Sequence, residues 1–101
     1  MKKESEFQRS LKKELKERYP GCYVLKNDPS MIQGIPDLTI LYKNKWASLE
    51  VKRSEEAYKE SLNDNPKQNY HIQKMDEMSF ASYIYPENKQ EVLNALDKSF
   101  I

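Results

Sequence analysis

The chain has 101 residues, 38% of them apolar and 11% aromatic, which is enough for one domain with a thin core and too little for two. Seventeen Lys and Arg stand against sixteen Asp and Glu, so no charge excess marks a protein that coats nucleic acid. No apolar run approaches the roughly 20 residues that cross a bilayer. The opening Met1-Lys2-Lys3-Glu4-Ser5-Glu6 lacks the apolar stretch of a signal peptide, and the single Cys22 excludes an internal disulfide, so the expectation is a cytoplasmic protein.

The first element is an amphipathic helix from Glu4 to Tyr19. Phe7, Leu11, Leu15 and Tyr19 recur every four residues, and Pro20-Gly21 stops it. Lys2, Lys3, Lys12, Lys13 and Lys16 form either a phosphate-tracking patch or a solvated helix side. Cys22 to Lys26 reads as a short strand. Asn27 to Ile35 reads as a loop carrying Asp28-Pro29-Ser30 and Gly34. Two β-rich runs follow, Pro36 to Tyr42 and Trp46 to Lys52, joined by Lys43-Asn44-Lys45, where Asn can take the left-handed backbone. Arg53 to Asp64 is polar and reads as a loop, with at most a helical turn around Glu55 to Glu60. Asn65-Pro66 predicts a capped helix running to Met78. Ala81 to Tyr85 is a last strand, and a last helix runs from Glu87 to Ser99 with Val92, Leu93, Leu96 and Phe100 as its apolar stripe. The order α-β-β-β-α-β-α predicts an α/β fold, a mixed sheet flanked by helices.

A two-residue turn at Lys43-Asn44 sets Tyr42 against Lys45, Ile40 against Ala47, Leu38 against Leu49 and Asp37 against Glu50. Opposed residues share a face, and the period of two adds Lys52 beside Glu50. Leu38, Ile40, Ala47, Leu49 and Val51 fill the other face. A three-residue turn would instead put the two acids on opposite faces. Taken singly, Asp after Pro and Glu-Val-Lys on a half-exposed strand are ordinary. Together, two opposed carboxylates repel and need compensation, which a hard divalent cation provides. A lysine beside them suits stabilisation of charge on a phosphate or an attacking water. Gln68 falls on the helical face of Ile72, Met75 and Ser79, where a buried amide needs a partner; a solvated Gln at a helix start is the alternative.

Gly34-Ile35-Pro36-Asp37-Leu38, the hairpin, and Leu49-Glu50-Val51-Lys52-Arg53 resemble the signature of the PD-(D/E)XK nucleases. More narrowly, the chain resembles a stand-alone VRR-NUC domain of viral or bacterial type over nearly its whole length, including the helix that begins Pro66-Lys67-Gln68. The resemblance implies a restriction-endonuclease-like fold. It also implies Mg²⁺ or Mn²⁺ held by Asp37, Glu50 and the backbone carbonyl of Val51, with Lys52 assisting the water. Cleavage of DNA, branched or at Holliday junctions, would leave 5′-phosphate and 3′-hydroxyl ends, and a homodimer would carry two sites. An acid on the first helix completes the family's site; Glu6 matches it best, and Glu14, nearer the apolar stripe, is the alternative. Val51-Lys52-Arg53-Ser54 keeps the lysine and one arginine of the basic pair in the family's name. Arg53 and Lys67 are candidate nucleic-acid contacts.

Two other functions fit the same motifs: an inactive binding module on the nuclease fold, and a nuclease directed at RNA. His71, the only histidine, reads as structural or exposed rather than as a substrate contact. Cys22, Met75 and Met78 read as core packing. Trp46, Tyr58 and Phe80 are candidate exposed dimer contacts.

Overall fold

A computed structural model describes residues 3–101; Lys2 of the basic patch lies outside them. The elements run α1 (Glu4–Arg18), β1 (Tyr23–Lys26), β2 (Leu38–Tyr42), β3 (Lys45–Val51), α2 (Glu55–Asp64), α3 (Pro66–Met78), β4 (Ala81–Ile84) and α4 (Lys89–Phe100). The strands form one mixed sheet in the order β1-β2-β3-β4, antiparallel except for the parallel β3–β4 pair. A parallel pair needs a long crossover, and α2 with α3 supplies it.

The hairpin register is the one a two-residue turn dictates: Leu38 pairs with Leu49, Ile40 with Ala47 and Tyr42 with Lys45. The left-handed residue of that turn is Lys43, at φ 57°, and not Asn44. Leu38, Ile40, Ala47, Leu49 and Val51 are all fully buried on one face, packed against Phe7, Leu11 and Leu15 of α1 and Val92, Leu93 and Leu96 of α4. The other face receives Ile72 and Met75 of α3 and Tyr58 of α2, packed on Ala81, Tyr83 and Tyr85. The protein is therefore three layers, helices over each face of a four-stranded sheet. No helix among the described residues is long and apolar enough to cross a membrane.

Arg53 to Asp64 departs from expectation, since it holds a ten-residue helix where a loop was predicted. Ser54 caps it, its hydroxyl accepting from the Ala57 amide at 3.1 Å, and Glu55 and Glu56 complement the positive end of the helix. Its inward face is sparse: Tyr58 stacks on Tyr85 and meets Tyr83 edge-on, and Ser61 is buried. An aromatic and a serine do not make a readable apolar stripe. Asn65 joins α2 to α3, its amide closing α2 on the Ser61 carbonyl at 2.9 Å, but its side chain does not cap α3 as the sequence predicts.

The exposed apolar residues also differ from those expected. Trp46, Tyr58 and Phe80 are half-buried, Phe80 against the main core and Tyr58 in the tyrosine cluster. Met78, predicted as core, is 73% exposed, while Tyr23 and Met31 also stand in solvent.

Candidate active site

Asp37 immediately precedes β2, and Glu50 is the next-to-last residue of β3. The register therefore sets them side by side at one end of the sheet, on the face opposite the main core. They are interlocked through the backbone. The Asp37 amide donates to Glu50 Oε1 at 3.1 Å, and the Val51 amide donates to Asp37 Oδ2 at 2.9 Å. Lys52 Nζ lies 3.4 Å from Glu50 Oε2, an ion pair whose side chains are 12% and 7% exposed. Burial, then the charge of Asp37, pushes the Glu50 carboxyl above the ordinary carboxylate range, and Lys52 offsets only part of this.

Asn27, at the start of the loop that follows β1, fixes Asp37 from the other side. Its amide donates to the Asp37 carbonyl at 2.8 Å, while its side-chain nitrogen reaches the Pro36 carbonyl at 2.8 Å and Thr39 Oγ1 at 2.9 Å. An Asn at the junction of a strand and a Pro-containing loop was the available signal.

The loop then folds back over the first turn of α3. Lys67 Nζ donates to Gln33 Oε1 at 2.9 Å, and His71 Nε2 lies 3.2 Å from the Gln33 carbonyl oxygen. Gly34, at φ +86°, makes this approach possible, since a Cβ there would meet the Gln68 nitrogen and the Lys67 carbonyl carbon at 2.9 Å. Between loop, sheet and helix lies a cleft of about 370 Å³, lined by Asp37 and Glu50 on one wall and by Gly34, Asn65, Lys67 and Gln68 on another. Gln68 Oε1 is buried there with no hydrogen-bond partner. A buried carbonyl without a donor costs on the order of 1–3 kcal/mol, so a hydrogen-bond donor in the cleft, water included, is favoured there.

The structure distributes the remaining candidates unevenly. Asp37, Glu50, Lys52 and Gln68 come together, Val51 lies between the acids and the lysine, and Lys67 stands at the rim. Arg53 is exposed just beyond Lys52. Glu6 is exposed, and Glu14 is turned away to α4, where Lys89 Nζ donates to its carboxylate at 2.8 Å. The α1 acid that senses the site is Glu4. Its carboxyl is raised by crowding protein atoms and then by the charge of Asp37, with Lys52 and Arg53 pulling the other way. By area Glu4 counts as exposed, which places it at the mouth of the site and not inside it.

The donor set suits a hard divalent cation. Asp37 and Glu50 offer two carboxylates whose mutual repulsion a cation relieves, and Mg²⁺ takes one or two such ligands while keeping water and phosphate oxygens. Among the described residues no group of three or more His, Cys, Asp or Glu side chains is placed to hold a metal ion, so the two carboxylates would need water and substrate oxygens to complete a coordination shell. No family model, curated protein or solved structure matches the chain significantly.

Proposed function

We propose that this protein is a metal-dependent endonuclease that hydrolyses DNA phosphodiesters, built on a restriction-endonuclease-like form of the α/β/α fold. The observation that carries this reading is the interlocked pair of carboxylates, Asp37 and Glu50, on the wall of an open cleft, with the Lys52 ammonium paired to Glu50. Asp37, Glu50 and the Val51 carbonyl are the groups that would hold Mg²⁺ or Mn²⁺. Such an ion, when bound, supplies positive charge for a phosphate and acidity for a water.

The chain's own residues do the rest. The reciprocal amide bonds hold both carboxylates without reliance on flexible side-chain contacts, so the site is organised before substrate arrives. Lys52, held beside Glu50, would stabilise negative charge on the phosphate or on the attacking oxygen. Lys67 at the rim adds a positive charge for the flanking backbone. Water forms the new bond to phosphorus as the bond to the 3′ oxygen breaks, giving a 5′-phosphate and a 3′-hydroxyl. A branched substrate, such as a four-way junction cut by a homodimer, suits a domain with little surface for gripping long duplex.

The test is incubation with labelled duplex, single-stranded and branched DNA, and RNA, each with Mg²⁺ or Mn²⁺. Metal-dependent cutting of DNA is expected. Asp37→Asn keeps an acceptor for the Val51 amide but removes the charge; it should lower cleavage by about 10²-fold or more while leaving the circular dichroism spectrum unchanged. Failure to cut any of these substrates with either metal would sink the proposal.

A further inference from the structure

Tyr83 of β4 is paired in register with Glu50 of β3, so the two side chains are neighbours on the cleft side of the sheet. Tyr83 is 7% exposed, and its hydroxyl is buried without a hydrogen-bond partner. Most buried hydroxyls in folded proteins are satisfied, so an orphan marks either an ordered water or a role in a site. The ring cannot swing out to find bulk water, because Tyr58 packs against it edge-on at 4.9 Å between centroids and Tyr58 is itself stacked on Tyr85. The charge that the phenol senses is Glu50: after burial, that carboxylate contributes most to pushing the Tyr83 hydroxyl up to about 12. Both Glu50 oxygens already have partners, the Asp37 amide on one and Lys52 on the other, and the phenol is not in direct hydrogen-bond contact with either.

We propose that Tyr83 is a positioning residue, its hydroxyl holding the Glu50 carboxylate through one trapped water. A phenol is a donor and water accepts it, leaving both water hydrogens to give. One goes to a free lone pair of Glu50, and the other remains for a further acceptor. The consequence is a carboxylate fixed from three sides: by β2 through the Asp37 amide, by Lys52, and by β4 through Tyr83. Groups that orient a ligating carboxylate typically change metal affinity by about 10–100-fold when removed.

The inference rests on the proposed function, and the experiment separates the two. Mn²⁺ affinity is measured by calorimetry on the full chain for wild type, Tyr83→Phe and Tyr58→Phe, alongside kcat and KM on branched DNA and the melting temperature without metal. Tyr83→Phe should weaken Mn²⁺ binding about tenfold and lower kcat with KM unchanged, while the metal-free melting temperature falls by only a few degrees, as for the loss of one water-mediated hydrogen bond. Tyr58→Phe, in the same cluster, should leave Mn²⁺ affinity unchanged. Wild-type Mn²⁺ affinity in Tyr83→Phe overturns the positioning role and leaves the nuclease reading standing. A wild type that neither binds Mn²⁺ nor cuts DNA overturns both. A crystal structure of the wild type with Mn²⁺ tests the role without any variant: a water within hydrogen-bond distance of both Tyr83 and Glu50 supports it, and direct packing with no water there overturns it.

Discussion

Glu4 and Glu6 are two residues apart on one helix and differ in everything that matters to the site. At 3.6 residues per turn, Glu4 lies within ~20° of Leu11 around the axis, whereas Glu6 is turned ~140° away. Leu11 is fully buried, so Glu4 extends the inward stripe toward the sheet end while Glu6 faces solvent. Gln8, one turn further on, is 9% exposed and marks the same stripe. Glu4→Gln should therefore weaken Mn²⁺ affinity and DNA cleavage several-fold to tenfold, through the water that an acid at the mouth of the site orders. Glu6→Gln should leave both at wild-type levels. Parallel calorimetry and cleavage assays on the two variants check this, and equal effects would remove Glu4 from the site. The shared face of Asp37, Glu50 and Lys52 was legible in the sequence because strand alternation fixes it once the turn has two residues, which is the register the structure shows. Glu4 was not: Glu6 rests on the family resemblance and Glu14 on its nearness to the apolar stripe, and the place of Glu4 within ~20° of Leu11 shows only when the full 3.6-residue period is carried back to the first residue of the helix.

Among the elements, α2 holds the crossover between β3 and α3 in place and was the one that the sequence concealed. Its helical state depends on local signals, a Ser54 cap and two first-turn acids, more than on an apolar face. Leu62, its largest aliphatic side chain, is 40% exposed, and inward packing falls to Tyr58. An element so lightly anchored should respond strongly to loss of its cap. Ser54→Ala should cost about 1 kcal/mol in global stability. The effect on cleavage should be larger than that loss suggests, since Arg53 and Lys52 lead directly into the cap. Denaturant unfolding and cleavage assays at a fixed metal concentration would check it, and an unchanged unfolding midpoint would show that the Ser54–Ala57 bond contributes nothing. The β-hairpin is the opposite case. Its register follows from alternating Leu38, Ile40, Ala47 and Leu49, all fully buried, and a slip of one residue would turn each of them to the opposite face, away from α1 and α4.

Across the whole molecule, the layer of α1 and α4 is joined by a polar cluster as well as by the core. Asp97 of α4 accepts hydrogen bonds from Arg18, through Nε at 3.0 Å and Nη2 at 2.6 Å, and from the Tyr19 hydroxyl. The ring of Tyr19 meanwhile packs on Phe100 and Tyr42, with centroids at 5.1 and 5.3 Å, so one side chain ties the first helix to the last and to the hairpin. The Arg18 bonds, then that of Tyr19, hold the Asp97 carboxyl below its ordinary value. A carboxylate depressed in the folded state stabilises the protein above its unfolded value near 3.8, and that stabilisation disappears as pH falls through the lower folded value. Both partners are about a quarter to a third exposed, so solvent screening discounts the bidentate pair to about 1 kcal/mol. Asp97→Asn should accordingly melt several degrees below wild type at pH 7. The gap should narrow progressively below pH 4 and close in strong acid, where wild-type Asp97 is itself protonated. A gap that stayed constant from pH 7 to pH 2 would mean that the variant loses packing and not charge.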